Sequence, residues 1–184
     1  MQPAIFLDRD GVIIENRPDY VQSWAEVKFI PGVLPTLAQL KNTPYKIVII
    51  TNQAGIGRGI ISPQVVKDIQ DNLNREIDKA GGRIDGVYVC PHKPEDGCNC
   101  RKPRPGLILQ AAQDLGIDLG RSLMIGDNLS DVQAGLAAGI GQVVLVRTGV
   151  GSEFARDLDA VGLSFVPVYD DLVEALANLV DAHE

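Results

Sequence analysis

Residues 4–14 read AIFLDRDGVII. Four apolar residues end on Asp8, a second carboxylate follows at Asp10, and Gly11 turns the chain. A short unbroken apolar run bounded by turn residues is the pattern of a strand buried on both faces. Asp8 and Asp10 would then stand at the carboxyl end of that strand, where open α/β sheets bind their ligands. Two carboxylates so close repel each other unless a cation lies between them, which points to a divalent metal and to chemistry. A purely conformational reading also exists, because Asp and Gly dominate turns without any ligand.

The same pattern recurs at 47–50, 87–89, 123–125 and 143–146, and 164–168 reads as one more strand. Helical patterns lie between these runs. Val65, Val66, Ile69, Leu73 and Ile77 recur at helical spacing behind Ser62-Pro63, a favoured cap and first-turn pair. Further helices are expected from near Pro105 to Gly116, over 130–138, and over 32–40. A last one starts at Asp170, with Leu172, Val173, Leu176, Leu179 and Val180 on one face. Strand and helix alternating in this way predict a three-layer, doubly wound parallel α/β sheet of the Rossmann-like kind. Residues 11–31, with Pro18, Trp24, Phe29 and Pro31, predict a hairpin or flap.

At 184 residues and 45% hydrophobic content, one domain over 1–184 is expected. A formal charge of -7 argues against nucleic acid or an anionic membrane surface as partner. No apolar stretch is long enough to span a bilayer, and the first residues lack the basic-then-apolar pattern of a signal peptide. A soluble, cytoplasmic chain is expected, and a monomer, since no sustained heptad appears. An anionic small molecule remains compatible because cations are concentrated locally. Arg101, Lys102 and Arg104 are close in sequence, and Arg58 lies in the glycine-rich turn GIGRG at 55–59.

Four polar segments fall at or beyond predicted strand ends: Asp8-Arg9-Asp10, Thr51-Asn52-Gln53, Arg101-Lys102-Pro103, and Gly126-Asp127-Asn128 with Asp131 further on. Parallel strands put their carboxyl ends along one edge, so these segments can converge on one site.

All three cysteines, Cys90, Cys98 and Cys100, lie within eleven residues, together with His92, the only histidine besides His183. Three cysteines cannot all pair within one chain, whereas three thiolates and an imidazole match a closed, structural tetrahedral Zn²⁺ site. Such a site would order the loop that carries Arg101 and Lys102.

The set of segments resembles the haloacid dehalogenase superfamily of phosphohydrolases, from Asp8 to Asp131 in order. The resemblance implies a fold of that type, and the absence of a domain-sized insertion agrees with its members that have no large cap domain. It makes Asp8 the nucleophile and Asp10 the general acid/base. Thr51, Asn52 and Lys102 become phosphoryl or substrate contacts, and Asp8, Asp127 and the backbone carbonyl of Asp10 become Mg²⁺ ligands. Asp131 would orient Lys102 or the metal shell.

The cysteine loop, the DRDG start and RKP resemble two related groups, which act on heptose bisphosphates and on histidinol phosphate. GIGRG, RKPRPG at 101–106 and VRTG at 146–149 look more like the first, which implies a sugar bisphosphate substrate with Arg58 and Arg101 on its remote phosphate. Asn128 departs from that group, in which a number of members carry Lys after the metal-binding Asp. Two readings from other classes are a receiver-like phospho-acceptor module and a zinc-ordered binding module. The cysteine loop speaks against the first, and the full acidic and basic set against the second.

Overall fold

In the computed structural model, which describes residues 1–180, the amino-terminal run forms strand β1 (Ala4–Leu7), buried throughout. Its side chains alternate between two apolar cores: Ile5 and Leu7 join one, Ala4 and Phe6 the other. With apolar cover on both faces, no polar alternation is needed. β2 (Lys46–Asn52) and β4 (Leu123–Gly126) pair with β1 on its two sides, and β3 (Gly86–Cys90), β5 (Gln142–Val146) and β6 (Val168–Tyr169) extend the sheet. The order is β3-β2-β1-β4-β5-β6, and every pair is parallel. Strand order reverses between β1 and β4, so the residues following these two strands share the crevice at which doubly wound sheets bind ligands.

α1 (Val33–Gln39), α3 (Pro63–Lys79) and α7 (Leu172–Leu179) cover the face of Ile5 and Leu7. α4 (Gly106–Leu115), α5 (Leu129–Ala138) and α6 (Gly151–Asp157) cover the other, and the four-residue α2 (Ala54–Gly57) follows β2 directly. α3 begins as its sequence predicts: Ser62 Oγ accepts from Val65 N at 3.2 Å, and Val66, Ile69, Leu73 and Ile77 are buried. α5 starts in a reciprocal cap. Asn128 Oδ1 accepts from Ser130 N, while Asp131 Oδ2 accepts from Asn128 N, both at 3.0 Å. That cap fixes Asp131 one helical turn beyond Asp127.

The structure departs from the sequence pattern in three places. Of 164–168, expected as a strand, only Val168 belongs to β6, joined by Tyr169. Pro167 has no N–H to donate, so the ladder opens with its carbonyl accepting from Leu145 N, and Phe165 stands out in solvent. α7 is capped by Asp171, which accepts from Glu174 N at 2.9 Å, and not by Asp170. Residues 11–31, where a hairpin or flap is expected, are closed by single bridges, Ile14 opposite Phe29, with Trp24 packed edge-on against Phe29 at 6.4 Å between ring centroids. No pattern predicts α6, whose seven residues bury only Gly151 fully. Among the described residues no helix is long and apolar enough to cross a membrane.

Candidate active site

Asp8 directly follows β1, and its N donates to Ile125 O at 3.1 Å, which keeps it in register between β1 and β4. Lys102 Nζ lies 2.6 Å from Asp8 Oδ1 and 2.6 Å from Asp131 Oδ1, and donates to Ile50 O at 2.7 Å. All three ammonium hydrogens are thereby used. Burial works against the charge of Lys102, yet the carboxylates of Asp131 and Asp8 outweigh it and hold the amine above its ordinary pKa. The backbone of Lys102 is fixed as well. Asn52 donates from Nδ2 to Lys102 O at 3.1 Å and accepts from Lys102 N at 3.2 Å. Asn52, expected as a substrate contact, has its amide engaged as a clamp on the lysine peptide.

Asp8, Asp127 and Asp131 offer carboxylate oxygens that all lie within 4.8 Å of one another. Burial pushes Asp127 up to about 8, with the charges of Asp8 and Asp131 adding to it. Burial likewise pushes Asp8 up to about 7, against the pull of Lys102 and with the help of Asp131 and Asp10. Three carboxylates facing one ammonium leave the pocket short of positive charge. Hard oxygen donors in that state fit a divalent ion such as Mg²⁺. The pocket is also shaped around Asp127. A side-chain carbon at Gly11 or Gly149 would come within 2.1 or 2.0 Å of Asp127 Oδ2, which accepts from Val150 N at 3.0 Å. Both glycines have positive φ, 94° and 58°. Thr148 Oγ1 donates to Gly11 O at 2.6 Å and ties the two loops together.

Asp10 sits at the edge of this cluster, its side chain 21% exposed. The buried guanidinium of Arg9 grips it twice, Nε to Oδ2 at 2.9 Å and Nη2 to Oδ1 at 3.2 Å. Gln53 Nε2 donates to the same Oδ2 and to Thr51 Oγ1, both at 2.9 Å. Sequence reasoning left Arg9 unread and gave Gln53 no role. The available signal was position alone: Arg9 stands between the two aspartates, and Gln53 two residues after Thr51.

Cys90, His92, Cys98 and Cys100 converge as predicted. The Cys100 sulfur lies 3.3 Å from those of Cys90 and Cys98, Cys90 and Cys98 are 3.7 Å apart, and His92 Nδ1 is 3.3 Å from Cys100. Tetrahedral bonds of about 2.3 Å place thiolates roughly 3.8 Å apart, so the donors fit one Zn²⁺. The loop is tied to the site at both ends. Cys90 O and Pro91 O accept from Gln53 N at 2.7 Å and Gly57 N at 2.9 Å, and the Asn52 clamp holds Lys102. Arg101 Nη1 donates to His92 O at 3.2 Å, and Arg58, beyond α2, faces Glu95 at 3.9 Å. Both arginines thus face the cysteine loop.

A doubly wound sheet with an aspartate pair, a buried lysine and a second acidic group at its switch point defines the chain as a HAD-like hydrolase, the family to which it belongs. A family model described as HAD-hydrolase-like matches residues 99–175. The chain is 42% identical over 154 residues to the D-glycero-beta-D-manno-heptose-1,7-bisphosphate 7-phosphatase of Yersinia pestis, covering 80% of this chain and 81% of that one. It is 40% identical over 154 residues to the enzyme of the same name from Escherichia coli K12, covering 80% of each. It also superimposes on the crystal structure of D,D-heptose 1,7-bisphosphate phosphatase from B. bronchiseptica complexed with magnesium and phosphate. The TM-score is 0.89 at 35% identity, over 98% of this chain and 99% of that one.

Proposed function

We propose that the chain is a Mg²⁺-dependent phosphomonoester hydrolase that removes the 7-phosphate of D-glycero-D-manno-heptose 1,7-bisphosphate through an aspartyl-phosphate. The observation that carries the substrate is the 40–42% identity to phosphatases of that name over 80% of the chain. The site supports the reaction. Asp8 attacks phosphorus and the bond to the sugar oxygen breaks, with Asp10 giving its proton to the departing alkoxide. Water then attacks the aspartyl-phosphate, Asp10 takes up the proton, and inorganic phosphate leaves. Lys102 and Thr51 bind the equatorial oxygens of the phosphoryl group, the lysine turning towards them the hydrogen that it now gives Asp8. Mg²⁺, held by Asp8, Asp127 and the carbonyl of Asp10, would offset the charge of the phosphoryl oxygens.

The cysteine loop is a structural Zn²⁺ site, and its task is to fix Lys102 and α2 beside the crevice. Arg58 and Arg101 hold the remote phosphate. One phosphatase domain fits the single sheet that all six strands enter, and the three unpaired cysteines fit a reducing, cytoplasmic setting.

The test is kcat/KM measured side by side on heptose 1,7-bisphosphate, histidinol phosphate and fructose 1,6-bisphosphate. A clear preference for the heptose is expected. Preference for histidinol phosphate would transfer the chain to that substrate, and equal rates would reduce it to a general sugar-phosphate phosphatase.

A further inference from the structure

We propose that Gln53 is a positioning residue that sets the acid/base carboxylate and the phosphoryl-binding hydroxyl relative to each other through the two hydrogens of one amide. The inference rests on the roles given above to Asp10 and Thr51. Gln53 is buried, 5% exposed, and its Nε2 donates one hydrogen to Asp10 Oδ2 and the other to Thr51 Oγ1, both at 2.9 Å. Its backbone is fixed too, because its N donates to Cys90 O at 2.7 Å at the root of the cysteine loop.

Two consequences follow from the chemistry of the groups. Asp10 Oδ2 already accepts from Arg9 Nε and from Gln53, so it is saturated and immobile, whereas Oδ1 has only the longer contact to Arg9 Nη2 at 3.2 Å. Oδ1 is therefore the oxygen that exchanges the proton with the leaving group. Thr51 Oγ1 accepts from the amide and must direct its own hydrogen elsewhere, which presents the hydroxyl to the phosphoryl group as a donor. One rigid side chain so fixes the spacing between the proton given to the leaving oxygen and the donor that holds the phosphoryl oxygens. A misplacement of an ångström at such a point is enough to cost about 10²-fold in rate.

The experiment exploits the leaving group. A sugar alkoxide needs a proton as it departs, whereas the phenolate of p-nitrophenyl phosphate does not. kcat/KM reports only the steps up to phosphoenzyme formation, so the later role of Asp10 as a base does not enter. Both substrates are assayed with Mg²⁺ on the same preparation of the full chain, so any loss of folded protein cancels in the ratio of heptose bisphosphate to aryl phosphate. Gln53→Met keeps volume and removes both hydrogens, and Gln53→Glu keeps shape and offers neither, as a second variant. Thr51→Val should lower both rates alike and leave the ratio near that of the unsubstituted chain. Asp10→Asn should lower the ratio by about 10²-fold or more, the scale of general acid catalysis.

Gln53→Met and Gln53→Glu should each lower the ratio by about 10-fold or more, with an additional smaller loss common to both substrates. A ratio unchanged in both Gln53 variants, while Asp10→Asn collapses it, overturns this inference and leaves the proposed function standing. A ratio unchanged in Asp10→Asn overturns the role of Asp10 itself, and the inference with it.

Discussion

Lys102 Nζ stands 2.6 Å from Asp131 Oδ1, and both residues are almost completely buried. Asp131 is tied by its other oxygen to Asn128 N, so the lysine is anchored to the first turn of α5. Asp131→Asn keeps an acceptor but removes one of the two carboxylate charges that hold the ammonium in place. Stability should fall by about 2 kcal/mol in urea unfolding. kcat should fall by about 10-fold or more on every phosphomonoester, because the phosphoryl-binding cation is displaced, not the substrate's remote end. An unchanged kcat in a folded variant would show that the anchor has no part in turnover.

The strands and the acidic pair were legible because parallel strands buried on both faces leave unbroken apolar runs, and Asp8 ends the first of them. The convergence of Asp8, Lys102, Asp127 and Asp131 followed from strand phase and family resemblance together. Other features depend on partners that only the fold brings in. Asn52 reads as a site residue from its neighbours, but its amide is turned to the peptide of Lys102, fifty positions away. Arg9 carries no signal beyond its place between the two aspartates, yet it is buried and paired with Asp10. Gly149 and Val150 shape and bond Asp127 from the loop between β5 and α6 through a missing side chain and a backbone N–H, neither of which marks a metal site in sequence. At 164–168 the apolar pattern was right about burial of Val166, but Pro167 left the strand short.

Metal binding should depend on pH in a defined direction. Asp8 and Asp127 are raised from 3.8 to about 7 and about 8. A carboxyl with a raised folded-state pKa binds protons more tightly than in the unfolded chain. Its stabilising contribution is complete below about pH 4 and is lost as pH climbs through 7 to 8. Mg²⁺ replaces those protons and restores the charge balance, so the Tm gained from added Mg²⁺ should be larger near pH 8 than near pH 6. Calorimetric titration near pH 6 in buffers of different ionisation enthalpy should also show proton release. An equal gain at both pH values would place Mg²⁺ away from these carboxyls.

Purified protein should contain about one zinc per chain by elemental analysis, resistant to dilution, while Mg²⁺ exchanges freely. Cys98→Ala should lose the zinc and open the loop between Pro91 and Lys102 to proteolysis. Activity should follow, because that loop carries Lys102 and accepts from Gln53 and Gly57. A zinc-free Cys98→Ala protein with an intact loop and full activity would remove the ordering role.

Arg58→Ala and Arg101→Ala should each lower kcat/KM for heptose 1,7-bisphosphate by about 10-fold or more and leave p-nitrophenyl phosphate within about 3-fold. Both side chains face the cysteine loop, and the aryl ester, which has no second phosphate for them to hold, should not register their loss. Equal losses on both esters would mean that the arginines act on the loop and not on the remote phosphate.

The central claim is that Asp8 is the nucleophile of a 7-phosphatase, and its most direct measurement follows heptose 1,7-bisphosphate by ³¹P NMR with the unsubstituted chain and with Asp8→Asn. The unsubstituted chain should release inorganic phosphate from the 7-position and leave the 1-phosphate in place, while folded Asp8→Asn should turn over slower by several orders of magnitude. Normal turnover by Asp8→Asn, or loss of the 1-phosphate first, would contradict the account.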